Sequence, residues 1–200
     1  MKEISIVYMV AGMSSRFGGR VKQFAQIGSN GETLIEYSLN QALKAGFNKI
    51  VFIIGNKTGS FFKEKFGDNY KGIQIFYALQ TFDENERDRP WGTGDALCSA
   101  KEILKEGFVV CNGDDIYGEG AFKILYKHLQ ESEANQKHLQ NENKRYPNAF
   151  DLDEASLGYK LIDVVPENGK VHRAVFQIDS QGFIKDLVET FNIEKYNLQA

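Results

Sequence analysis

Nothing in the 200-residue sequence approaches the run of roughly 20 apolar residues that a membrane-spanning helix needs. The opening Met1-Lys2-Glu3-Ile4 passes into a strand-like segment without a signal-peptide core, so a soluble, cytoplasmic protein is expected. Cysteine is scarce. Cys98 and Cys111 are the two in the chain, they lie in apolar contexts without metal-ligand spacing, and they read as buried thiols. Positive charge is not in excess either: 24 Lys and Arg stand against 27 Asp and Glu, a net charge of -3 that argues against nucleic-acid or membrane partners. Any anion bound here must be held locally. Internal repeats and low-complexity tracts are missing too, and a single domain over residues 1–200 is the default.

What is present is an alternation of strands and helices. Ile4 to Val10 is a continuous apolar and β-branched run, which suits a strand buried on both faces. Thr33 to Ala45 has helical spacing and ends before Gly46, a stop signal. Lys49 to Ile54 reads as a strand, Ser60 to Phe66 as a helix, Ile73 to Gln80 as a strand, Ala96 to Leu104 as a helix and Phe108 to Asn112 as a strand. Ala121 to Gln136 reads as a long amphipathic helix, and the polar stretch His138 to Glu154 as an exposed loop. Such alternation implies an α/β fold, a mostly parallel sheet with helices on both faces. Tyr159 to Val165, Lys170 to Ile178 and Gly182 to Thr190 read as added antiparallel strands in the last third. The aromatic set Phe61, Phe62, Phe66 and Tyr70 has the spacing of a helix packed on the core.

Three stretches could carry chemistry. In "VYMVAGMSSRFGGRVKQF", residues 7–24, the first strand breaks into a glycine-rich loop bearing Arg16, Arg20 and Lys22. Glycines let backbone N–H groups approach phosphate oxygens, and arginine adds bidentate charge-assisted bonds. The loop is neither a Walker P-loop, since no Gly-Lys-Ser/Thr follows, nor a G-x-G-x-x-G turn, and a purely structural turn is the competing reading. In "RPWGTGDALCSAKEIL", residues 89–104, Gly92 and Gly94 precede a helix whose amides could face an anion, with Thr93 or Asp95 alternatively a plain N-cap. In "GFVVCNGDDIYG", residues 107–118, an apolar strand ends in Asp114 and Asp115, hard oxygen donors suited to Mg²⁺ beside a polyphosphate, or ordinary turn residues. His128 and His138 read as surface residues, His172 as a weak candidate near the acceptor side, and Asp83 to Asp88 as a solvated loop or a lid over a base.

Together these stretches, in this order, resemble the nucleotidylyltransferases or NDP-sugar pyrophosphorylases, which join an NTP to a sugar 1-phosphate. The loop is similar to that family's apolar-Ala-Gly-x-x-[Ser/Thr]-Arg…Lys pattern, and "CNGDDIYG" to its metal-binding Gly-Asp-Asn/Asp. The resemblance implies a Rossmann-like sheet, with residues 1–136 as the nucleotide-binding core and 155–190 as acceptor-side strands. It implies NTP contacts from Ala11, Gly12, Met13, Ser14, Ser15 and Arg16, phosphate contacts from Lys22, base contacts from Gln80, Gly92 and Thr93, and Mg²⁺ on Asp114. "RAVFQIDSQGFIKDLVE" resembles the strands ending in a sugar-contacting glutamate, here Glu189, and Asp115 would join it on the acceptor side. Partners would be an NTP and a phosphorylated small-molecule acceptor, with an oligomer compatible with the chain.

The departures are specific. Glu189 is followed by Thr190-Phe191 where the family has Lys-Pro, Ala174 replaces a glycine, and the chain stops at Ala200 before the family's second metal-binding aspartate. A truncated sequence, a substitute carboxylate, or nucleotide binding without efficient turnover would each explain the last point. The Lys22-Gln23 pair resembles cytidylyl- and guanylyltransferases with non-sugar acceptors, the nearest alternative within the enzyme class. From another class, a non-catalytic nucleotide-binding regulatory module is compatible with the same loop.

Overall fold

The structure, a computed structural model, describes residues 3–12, 21–83, 85–87, 90–142 and 154–195, with the backbone alone given for 133–142. The chain divides into two compact units, Met1–Asp153 and Glu154–Ala200.

In the first unit, β1 (Ser5–Met9), β2 (Lys49–Ile54), β4 (Ile73–Leu79) and β5 (Phe108–Asn112) form a parallel sheet, and β3 (Asn69–Tyr70) pairs antiparallel to β4 at its edge. The strand order is β3-β4-β2-β1-β5. Side chains alternate across each strand, so β1 and β2 each feed two cores. Ile6, Tyr8, Val10, Ile50, Phe52 and Ile54 face one side, where α1 (Leu34–Ala45), α2 (Gly59–Phe66) and α4 (Glu119–Glu142) supply Leu39, Phe62 and Phe122. Val7, Val51 and Ile53 face the other, against Ala96 of α3 (Thr93–Cys98) and Ala100 just beyond it. Helices therefore cover both faces, as the alternation in the sequence predicts.

Local signals set the ends of α1. Glu36 accepts hydrogen bonds from the Thr33 N–H (2.9 Å) and hydroxyl (2.5 Å), which fixes the first turn. At the other end Gly46 has φ of 118°, and the Tyr126 ring lies 2.6 Å from where a Cβ would stand. Only glycine meets both demands.

Several expectations are corrected. α4 begins at Glu119 and runs to Glu142, so the first residues assigned to the polar loop are helical, and 143–153 lie outside the described residues. The helix over Ala96 to Leu104 is instead Thr93–Cys98 followed by turns. Cys98 is exposed rather than buried, because the helix turns Ala96 toward the sheet and Cys98 away from it. Phe61 is 45% exposed while Phe62 and Phe66 are buried.

The second unit is built on a hairpin of β6 (Val171–Ile178) and β7 (Ile184–Ile193). Its turn is held by Asp179, whose carboxylate accepts the N–H groups of Gln181 and Phe183, each at 2.9 Å. Tyr159 to Val165 forms no strand. A 3-10 turn, Leu161–Asp163, replaces it, since the apolar pairs Leu161-Ile162 and Val164-Val165 lack the alternation of a half-buried strand.

Candidate active site

The strand order fixes where a ligand would sit. From β1 the chain moves outward through β2 to β4, then returns to place β5 on the opposite flank of β1, so the order reverses between β1 and β5. In open parallel sheets ligands bind outside the carboxyl ends of the strands at this reversal, because diverging loops leave a crevice there.

Two of the residues singled out in the sequence meet at that edge. Lys22 sits in a 3-10 turn, Lys22–Phe24, and its Nζ donates to Asp114 Oδ2 at 3.1 Å, just beyond β5. The side chains are 39% and 42% exposed, and a pair so accessible adds about 0–1 kcal/mol to stability. It holds a cation and a carboxylate side by side where both can still reach a ligand.

The support beneath the pair is dense. Gly113 N donates to Met9 O at 3.1 Å, and a Cβ on Gly113 would overlap Val10 Cγ1 and stand 3.4 Å from Gln23 Cγ. Gln23 is itself buried. The strand end before Asp114 thus touches both β1 and the Lys22 turn, and only glycine allows that approach. Asp115 turns elsewhere, accepting a hydrogen bond from Asn112 Nδ2 at 2.9 Å, while the Tyr117 hydroxyl accepts the Asn112 N–H at 2.8 Å. Burial first, then the charge of Asp115, pushes the Cys111 thiol up to about 12, so it stays protonated beneath the site.

A second constellation lies at the carboxyl end of β4. Gln80 is buried, and its Nε2 donates to Asp95 Oδ2 at 2.9 Å and to Gly92 O at 3.3 Å. Gly92, with φ of 134°, is the residue before α3, and Thr93 starts the helix. Neither Thr93 nor Asp95 caps it through a side chain: the N-cap is Gly92, and the Asp95 carboxylate is committed to Gln80. Ala11 packs against β2, its carbonyl 2.7 Å from where a Gly55 Cβ would be, and Gly12 is exposed with open space before it. Met13, Ser14, Ser15 and Arg16 lie outside the described residues. Glu189 belongs to the second unit, on β7 opposite Ala174, at a shallow recess of about 310 Å³ also lined by His172, Arg173 and Leu187. Asn112 is a supporting residue that the sequence did not single out, and Gln23 and Asp95, named there only beside Lys22 and as a possible N-cap, take supporting roles as a buried side chain and as the partner of Gln80.

The fold is an open α/β sheet with a lysine and a carboxylate paired at its reversal point. The model of the family described as nucleotidyl transferase matches residues 18–150, more than half of the sequence, and the chain belongs to that family. The match takes in Lys22, Gln80, Gly92 and Asp114. Among solved structures, HddC from Yersinia pseudotuberculosis, complexed with GMP-PN, is 16% identical with a TM-score of 0.51, over 96% of this chain and 74% of that one. Rv0371c from Mycobacterium tuberculosis H37Rv is 17% identical with a TM-score of 0.46, over 62% of this chain. The chain spans 59% of that structure's length. No curated protein matches. Among the described residues no helix is long and apolar enough to cross a membrane.

Proposed function

We propose that the protein transfers a nucleoside monophosphate from an NTP to a sugar 1-phosphate or a similar phosphate acceptor. The observation that carries this reading is the Lys22–Asp114 pair at the strand-order reversal, within a chain of the nucleotidyl transferase family.

In the reaction an acceptor phosphate oxygen attacks the α-phosphorus of the NTP. A new P–O bond forms, the bond to the α–β bridging oxygen breaks, and pyrophosphate leaves with that electron pair. The protein has little covalent work to do; it must hold like charges together, align the attack and stabilise the leaving group. Lys22 supplies a cation for the phosphates. Arg16, with the loop from Ala11 to Ser15, is proposed to cradle the triphosphate, and Gln80 and Gly92 to border the base. Glu189 and Asp115 are proposed for the acceptor.

Magnesium fits the donor set in a limited way. It keeps several waters and is held by one or two protein carboxylates plus substrate phosphates, so Asp114, accessible and beside a phosphate-seeking lysine, suffices as the protein's share. When bound, the ion would screen charge on the phosphates.

Pyrophosphate release across the NTPs and a panel of sugar 1-phosphates, with Mg²⁺, tests the proposal; a guanine nucleotide, of the kind carried by HddC, is the first to try. Turnover with a sugar 1-phosphate that Asp114→Ala abolishes is the expected result. Turnover with non-sugar phosphates alone would move the chain to the cytidylyl- or guanylyltransferase reading. Nucleotide binding without pyrophosphate release would make it a regulatory module.

A further inference from the structure

Trp91 is the sole tryptophan of the chain and is 73% exposed. Leaving an indole in water forgoes some of the largest burial gain available to a side chain, so such a placement calls for a partner. One face is already taken. The Arg87 guanidinium lies over the ring with its Cζ 3.6 Å from the centroid, a cation–π stack that fixes the ring plane. With one face covered and most of the residue exposed, the opposite face is open.

The position is as informative as the exposure. Trp91 immediately precedes Gly92, which has open space in front of its Cα and whose carbonyl is tied to Gln80 at the carboxyl end of β4. The backbone next to the indole is therefore tied, through the buried Gln80 amide, to the carboxyl end of the sheet, the end that also carries Lys22 and Asp114. Base–aromatic stacking needs such a rigid, planar and desolvatable surface, and it tolerates any base because every base has a π-face.

We infer that the open face of Trp91 is the stacking platform for the nucleobase of the NTP, with Arg87 fixing the platform from behind. The inference rests on the proposed nucleotide-binding function and names the residue that holds the base. Stacking of this kind contributes affinity common to purines and pyrimidines, with purines favoured by their larger ring area.

Because Trp91 is the only tryptophan, its fluorescence, excited at the red edge of its absorption, reports on the platform alone. Calorimetry and fluorescence titrations are run side by side with each NTP and with tripolyphosphate, which has the charge but no base. Expected are binding of both ligand types, quenching by the NTPs only, and an approximately tenfold rise in NTP Kd for Trp91→Ala, a change of about 1.4 kcal/mol, with Trp91→Phe recovering most of it. Tripolyphosphate Kd stays unchanged in both variants. NTP binding in the calorimeter without quenching, or with an unaltered Kd in Trp91→Ala, overturns the platform and leaves the nucleotide site standing. Absence of NTP binding in both measurements overturns the site and the platform together.

Discussion

Lys22 Nζ and Asp114 Oδ2 lie 3.1 Å apart, although 92 positions of sequence separate them. Neither residue is on a strand. Asp114 lies in the turn just after β5 and Lys22 in a 3-10 turn thirteen residues beyond β1, with β1 and β5 paired side by side.

Their chemistry can be separated from their contribution to the fold. Asp114→Asn and Lys22→Met are each expected to lower kcat for pyrophosphate release by about 100-fold or more, the scale of losing a charge-stabilising group. Stability should fall by no more than about 1 kcal/mol, because the pair is accessible. The double variant should be about as slow as the worse single one. Equal loss of stability and activity in denaturant and kinetic measurements would show a structural pair instead.

Gly113 makes the approach of β5 to β1 possible. A methyl group there would overlap the fully buried Val10, so Gly113→Ala is expected to cost about 1–3 kcal/mol in urea unfolding and to weaken nucleotide binding by shifting Asp114. Gly120→Ala is the control: it sits in the first turn of α4 with nothing within 4 Å of its added Cβ, and it should be neutral or slightly stabilising.

Acid should loosen the contact between α1 and α4. Hydrogen bonds from Lys123 and then Lys44 hold the Glu119 carboxyl down from 4.5 to about 2. A depressed carboxyl stabilises the folded state above its unfolded pKa, and that contribution is lost as pH falls through the folded one. The Tm is expected to drop between about pH 4.5 and about pH 2, with a shallower drop in Glu119→Gln. Superimposable profiles would remove Glu119 from the acid response.

The two thiols should react at very different rates. Cys98 is exposed and Cys111 is buried with its thiol pushed up to about 12, so a thiol reagent is expected to modify Cys98 alone in the native protein and both after unfolding. Fast labelling of Cys111 would show that the β5 edge opens.

Much of the fold was legible because its signals are long. Lys49–Ile54 and Phe108–Asn112 are strands with the limits that their continuous apolar runs indicate, and Gly46 ends α1 where its place beyond the last turn implies. Short elements escape such reading. Asn69–Tyr70 has too few residues for any period, and the apolar pairs within Tyr159 to Val165 gave no alternation to distinguish a strand from a turn. Cys98 and Phe61 were misjudged because apolar neighbours in sequence do not say which side of a short helix faces the sheet. Asp114 and Lys22 were singled out through their motif. Their partnership depends on strand order, which no local stretch of sequence encodes, and the tie of Gln80 to Asp95 is likewise a product of packing.

β1 lies between β2, which follows it soon in the sequence, and β5, which follows it late. β1 must wait with one flank unpaired until β5 arrives about a hundred residues later, so the lysine and the aspartate first become neighbours only when the sheet is complete. A half-assembled chain lacks the Lys22–Asp114 pair, and a nucleotide bound at the proposed site would act as a late lock on the finished molecule.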